Sequence, residues 1–189
     1  KDLSLLRQAL GLHGIKLPAM DLTGTTHIDD GLYKANLLLQ QGGGSLALDG
    51  WYNCRTDAYR ANLDAHRFVV SNFLPLDSVL SLTARAEAEG RGYDLFPRST
   101  RLQAVLDVPS GHYGSLDLGN LHLDGNLSRS TCWVNFYSGG KVLNADGCVE
   151  VYLDRNKIDS ASFSFDMRGL DLYALGVIKQ PFKASMTMH

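Results

Sequence analysis

Residues 20–65 read MDLTGTTHIDDGLYKANLLLQQGGGSLALDGWYNCRTDAYRANLDA, and the alternation in this stretch decides the fold. Met20, Leu22 and Ile28 alternate with polar residues up to Asp30-Gly31. Tyr33, Ala35, Leu37 and Leu39 follow, up to Gly42-Gly43. Leu46, Leu48, Gly50 and Tyr52 lead into Asn53-Cys54-Arg55-Thr56, and Tyr59, Ala61, Leu63 and Ala65 complete the run. An apolar residue at every second position marks a half-buried antiparallel strand, because successive side chains point to opposite faces. Asp-Gly and Gly-Gly suit two-residue hairpin turns, whose central residues take positive φ. The turns also fix a register that can be checked. Asp30-Gly31 in a turn sets Ile28 opposite Tyr33 and Leu22 opposite Leu39. Gly42-Gly43 sets Leu39 opposite Leu46 and Leu37 opposite Leu48, and a turn centred on Arg55-Thr56 sets Tyr52 opposite Tyr59 and Leu48 opposite Leu63. A slip of one residue would send each set to opposite faces. Three hairpins that agree on one apolar face predict a meander.

The pattern continues outward from this stretch. Ser138-Gly139-Gly140-Lys141 reads as another tight turn, pairing Phe136 with Leu143, Val134 with Ala145 and Cys132 with Gly147, which points Cys148 to the other face. Further strands are expected at 102–108, 121–127, 149–153, 161–165 and 182–188. The faces of Leu116 and Leu118 do not match those of Leu121 and Leu123, which predicts a bulge near Gly119-Asn120. Residues 78–90 contain good helix formers, Ala84, Ala86, Ala88, Glu87 and Glu89. Leu80, Leu82, Ala84, Ala86 and Ala88 nevertheless alternate strictly with Thr83, Arg85, Glu87 and Glu89, so the segment is read as strand. Short helices are expected at Leu3–Leu10, stopped by Gly11, and around Leu170–Leu175, stopped by Gly176; residues 69–77 read as a bend or single turn around Pro75. An apolar-x-apolar-x-Gly frame recurs at Met20–Gly24, Leu46–Gly50 and Leu121–Gly125, and glycine within a strand permits strong coiling. The expected fold is all-β: one long, curled antiparallel sheet with one or two short helices, over 1–189 as a single segment in which 1–17 form a short helix and linker.

Composition removes several functions. The chain has 189 residues, 44% hydrophobic and 20% charged, with a net charge of −2; without a Lys/Arg block there is no surface to neutralise the phosphates of nucleic acid. No apolar run approaches the roughly 20 residues of a membrane-spanning helix. The chain starts at Lys1 without a signal-peptide pattern and is read as a piece of something longer. Cys54, Cys132 and Cys148 form no C-x-x-C pair and no zinc-ligand spacing with His, so neither a disulfide framework nor a metal site is expected. The six histidines, His13, His27, His66, His112, His122 and His189, are scattered. Asp29-Asp30 beside Gly31 is turn chemistry. Ser78, Ser99 and Ser110 lie in no nucleophile elbow, and Gly42-Gly43-Gly44 lacks the Lys-Ser/Thr and helix of a phosphate loop. No enzymatic activity and no cofactor are expected.

What remains is the apolar face. Its candidate ligand-lining residues are Leu37, Leu39, Leu46, Leu48, Leu63, Leu82, Ala84, Ala86, Leu102, Ala104, Leu106, Leu121, Leu123, Val134, Phe136, Leu143, Val149 and Val151. The residues alone leave two ways to satisfy this face. It closes against a second sheet, as in a sandwich or barrel, or it stays open as the wall of a trough. A closed sandwich would be a binding module for glycan or protein, with Trp51, Tyr93 and Trp133 as the aromatic candidates for its loops.

Several motifs carry a family resemblance. Asn72-Phe73-Leu74-Pro75-Leu76-Asp77-Ser78 leads into Leu82-Thr83-Ala84-x-Ala86 and Gly90-Arg91-Gly92-Tyr93-Asp94. Arg101-Leu102-Gln103-Ala104, His112-Tyr113-Gly114-Ser115-Leu116-Asp117-Leu118 and Asp171-Leu172-Tyr173-Ala174-Leu175-Gly176 follow. From about Thr23 to Gly176 this resembles an internal segment of the TamB (translocation and assembly module) family of AsmA-like envelope proteins, in its Bacteroidetes form. The resemblance implies a β-taco, an open trough with an apolar interior, within the periplasmic portion of a long protein anchored in the inner membrane. It implies phospholipid acyl chains as ligands, moved between inner and outer membrane in support of outer-membrane assembly. An outer-membrane barrel partner would be reached through other parts of the full protein. The family has no catalytic residues to carry over.

Overall fold

The computed structural model describes residues 19–73, 78–114, 116–154, 157–171 and 183–188. They form β1 (Asp21–Asp29), β2 (Leu32–Gln41), β3 (Gly44–Asn53), β4 (Ala58–Val69), β5 (Leu80–Arg91), β6 (Arg101–Tyr113), β7 (Leu116–Asp117), β8 (Leu121–Ser128), β9 (Thr131–Gly139), β10 (Leu143–Asp154), β11 (Lys157–Asp171) and β12 (Lys183–Met188). One antiparallel sheet contains all twelve in the order β1-β2-β3-β4-β5-β6-β8-β9-β10-β11-β12, with β7 paired to β6. The sheet is open: β1 and β12 are its edges, and it does not close into a barrel. Eleven successive strands at about 4.8 Å spacing span roughly 50 Å from edge to edge.

The first four strands pair as the alternation requires. Ile28 lies opposite Tyr33 and Leu22 opposite Leu39; Leu39 lies opposite Leu46 and Leu37 opposite Leu48; Tyr52 lies opposite Tyr59 and Leu48 opposite Leu63. Asp30 (φ 44°) and Gly31 (φ 82°) both take the left-handed region, as a type I′ turn demands. Residues 80–91 are strand despite their helix formers: Ala84, Ala86 and Ala88 lie opposite Ala65, Leu63 and Ala61, so the row is fixed by pairing rather than by intrinsic propensity.

Three expectations need correction. Phe136 lies opposite Gly147, not Leu143, because β9 runs on through Gly139, whose N–H donates to Asn120 O at 2.9 Å. The hairpin is thereby displaced by four residues, Val134 faces Val149 and Cys132 faces Val151. Leu143 lies opposite Leu170 and is 38% exposed. The change of face before Leu121 is a break between β7 and β8 rather than a bulge, with Asn120 at φ 62° and the Gly119 N–H on Asp117 Oδ1 at 3.0 Å. Leu170 and Asp171 belong to β11, not to a helix; the rest of that expected helix, and the one at Leu3–Leu10, lie outside the described residues. A single 3-10 turn, Val70–Asn72, is the only helical element among the described residues.

The best-packed region sits where β4 bends. Register shifts place an extra residue in β4 between Ala65 and Phe68 and in β6 between Asp107 and Ser110, one bulge on each side of β5, with Arg67 at φ 46° and its N–H on Thr83 Oγ1 at 3.1 Å. Bulges kink and twist a strand, and here Phe68 packs with Ala65, Ala84 and Val108. Phe73 stacks on Phe68 with ring centroids 5.5 Å apart. Gln41, 6% exposed, receives the Val69 N–H on Oε1 at 3.0 Å and donates Nε2 to Val69 O at 3.4 Å. Elsewhere the sheet is one layer thick, and among the described residues no large side chain is fully buried.

Candidate functional site

Register places the apolar residues of successive strands in rows on one face. One row runs Leu37, Leu48, Leu63, Ala86, Leu106, Leu123, Phe136, Gly147 and Phe165 from β2 to β11. A second runs Ala35, Gly50, Ala61, Ala88, Ala104, Gly125, Val134, Val149 and Phe163. Small residues dominate the middle of the second row, so the floor is set back there. Gly50 and Gly125, the glycines of the recurring frame, both fall in it. Most of these residues are half-buried, and Phe163, directly across from Val149, remains 54% exposed. A face closed against a second sheet would not leave a phenylalanine in that state. The described residues contain no second sheet.

The set-back floor forms an apolar groove of about 580 Å³, within the usual range for ligand pockets. Of the residues expected on the face, Ala86, Leu102, Ala104, Leu106, Leu123, Val134 and Val151 line it. Leu48 lines a second depression of about 520 Å³ nearer β1, with Ile28, Tyr33, Tyr52 and Tyr59. The rings of Tyr33 and Tyr52 lie 6.2 Å apart, and Tyr52 donates its hydroxyl to Asp57 Oδ1 at 3.0 Å, which holds its phenol above the ordinary value. Leu39, Leu46, Leu63, Leu82, Ala84 and Leu121 share the apolar side but pack in the cluster around Phe68. Leu37, Phe136 and Val149 take their places in the rows, and Leu143 lies apart from them.

The groove also takes in residues that the sequence did not single out: Ala88, Leu95, Phe96, Leu127, Cys132, Leu153 and Ile158. Ala88 already belongs to the alternating set of its strand, and Leu127, Cys132 and Leu153 are in phase with theirs, so the alternation carries a signal for all four. Leu95 and Phe96 lie in a loop, where no period gives a signal. Burial pushes the Cys132 thiol above its ordinary value.

The opposite face is polar and laced with exposed pairs. Arg85 meets Asp64 at 3.2 Å, His122 Nδ1 meets Asp107 at 2.5 Å, and Arg55–Asp30 and Arg168–Asp146 pair likewise. Such pairs contribute about 0–1 kcal/mol each and mark a solvated surface. Trp51 and Trp133 project from strands on this face, opposite Arg60 and Asn126. Tyr93, 79% exposed, is the one of the three candidate aromatics placed on a loop. Among the described residues no group of three or more His, Cys, Asp or Glu is placed to hold a metal, and no helix is long and apolar enough to cross a membrane. No family model, no curated protein and no solved structure matches the chain.

Proposed function

We propose that this chain is a section of a hydrophobic trough that carries phospholipid acyl chains across the periplasm between inner and outer membrane, in support of outer-membrane assembly. The observation that carries the reading is the unclosed apolar face, with a groove of about 580 Å³ whose lining is almost wholly apolar. An acyl chain entering water loses about 0.8 kcal/mol per CH₂. A continuous apolar floor removes much of that penalty without specific contacts, so a ligand of this class needs no polar motif to hold it. The small residues Ala86, Ala88, Ala104 and Gly125 give the chain width between the leucines. The motif resemblance to the TamB family points the same way and supplies the cellular setting of the proposal.

The test is displacement of a fluorescent fatty acid from the purified chain. Val134→Asp places a carboxylate in the groove and Leu48→Arg places a guanidinium in the depression nearer β1, where an unpaired charge opposes hydrocarbon at a cost of several kcal/mol. Both variants are expected to keep a cooperative melt, since the charge stays hydrated on an open face. Val134→Asp is expected to bind the probe at least tenfold more weakly, and Leu48→Arg to lose the part of the binding held near β1. Gln103→Lys, on the polar face opposite Glu89, is expected to leave binding unchanged. Variants that fold and bind as the parent does would sink the proposal.

A further inference from the structure

The connection between β5 and β6, residues 92–100, is long for its place. The neighbouring hairpins β1–β2 and β8–β9 turn in two residues, and β3–β4 in four. It is also a built loop. Gly92 leaves β5 at φ 77° with its N–H on Asp57 O at 2.9 Å. Asp94 accepts the Phe96 N–H on Oδ1 at 3.1 Å, and its carbonyl accepts the Thr100 hydroxyl at 2.6 Å. Thr100, only 4% exposed, closes the loop with its own N–H on Pro97 O at 3.0 Å. Turn tips are ordinarily made of Gly, Pro, Asn, Asp and Ser. This one carries Leu95 and Phe96, and both enter the lining of the apolar groove.

Leu153 and Ile158, from the β10–β11 end, line the same groove. Leu95 is 52% exposed and Ile158 64% exposed. Each is an apolar side chain held over a cavity rather than into a packed core. Against water that arrangement gains little; against a hydrocarbon chain lying on Ala88, Ala104 and Gly125 it completes the burial of the chain on its open side.

We propose that Leu95 and Phe96 form a retaining lip, so that the groove holds a single acyl chain as a discrete compartment and releases it past the 92–100 loop. This rests on the acyl-chain reading above and adds to it a step that controls release. The loop's internal hydrogen bonds use none of the atoms of these two side chains, so they can be changed without dismantling it.

The experiment is stopped-flow release of a fluorescent fatty acid from the purified chain into excess unlabelled vesicles of phosphatidylcholine. Leu95→Ser/Phe96→Ser is expected to release the probe about tenfold faster than the parent, with the melting temperature unchanged. Leu95→Ser alone, at a side chain more than half exposed, removes part of the lip without threatening the fold and is expected to give a smaller acceleration. Leu95→Met/Phe96→Leu, which keeps the apolar cover, is expected to release at the parental rate. A parent that binds the probe while all three variants release it at one rate overturns the lip and leaves the groove reading standing. A parent that never binds the probe overturns both.

Discussion

Gly125 and Cys132 carry opposite kinds of information about the groove. A Cβ at Gly125 would come no closer than 3.6 Å to any neighbour, the nearest being Val134 Cγ2, with the Trp133 and Ala104 carbonyl oxygens at 3.8 and 3.9 Å, so it makes ordinary contacts and no clash. Gly125→Leu is therefore expected to fold with stability within about 1 kcal/mol of the parent while filling the floor and lowering fatty-acid capacity; titration calorimetry with a soluble fatty acid reads this directly, and undiminished binding would argue that the chain lies elsewhere. Cys132 lies in the same groove with its thiol pKa raised by burial, whereas Cys54 is exposed. The thiolate is the reactive form, so a raised pKa means less of it at mildly alkaline pH. Cys54 is expected to react first with a soluble disulfide reagent, and Cys132 more slowly, at a rate that climbs as pH rises. Bound fatty acid is expected to slow Cys132 further and to leave Cys54 untouched. Equal rates with and without ligand would separate Cys132 from the binding surface.

At the scale of elements, the hairpins show what alternation can and cannot decide. The registers of β1 to β4 were legible because Asp30-Gly31 and Gly42-Gly43 leave a single two-residue solution that keeps the leucines together. The β9–β10 hairpin offered the same cue in Gly139-Gly140, yet Gly139 stays in the strand through its bond to Asn120. The registry instead sets the Phe136 ring over Gly147, where a Cβ would come within 2.6 Å of Phe136 Cε1 and of Phe165 Cβ. A displacement of four residues is even, so Val134 and Val149 keep their face although their expected partners change. That is why the alternation could assign faces in β9 and β10 even where it assigned the wrong partners, Leu143 included. The bulge at Ala65–Phe68 was not legible, because it depends on Gln41, distant in sequence. Gln41→Leu removes both hydrogen bonds to Val69 and leaves its N–H and C=O without them. It is expected to cost about 1–3 kcal/mol in denaturant unfolding, with faster amide exchange at Val69. A variant as stable as the parent, with Val69 still protected, would show that the bend is held by Phe68 and Phe73 alone.

For the whole molecule, the decisive property is a twelve-stranded sheet left open with one apolar face. Such a sheet draws its stability from continuous backbone pairing and half-burial, and its small core is concentrated at the β4 bend. Bonds such as Cys54 N to Gly31 O, Gly92 N to Asp57 O and Leu153 N to Ser130 O tie neighbouring hairpins together at their tips, which keeps the face continuous from β1 to β11. The proposed ligand-carrying role rests on this apolar face, which no second sheet among the described residues covers, and the polar face keeps the assembly hydrated. The most direct test is native mass spectrometry of the chain purified from a Gram-negative host without detergent, alongside Val134→Asp. The account predicts parent ions carrying adducts of glycerophospholipid mass, lost in a Val134→Asp protein that still melts cooperatively. Parent ions at the bare protein mass, or adducts that survive Val134→Asp, would contradict it.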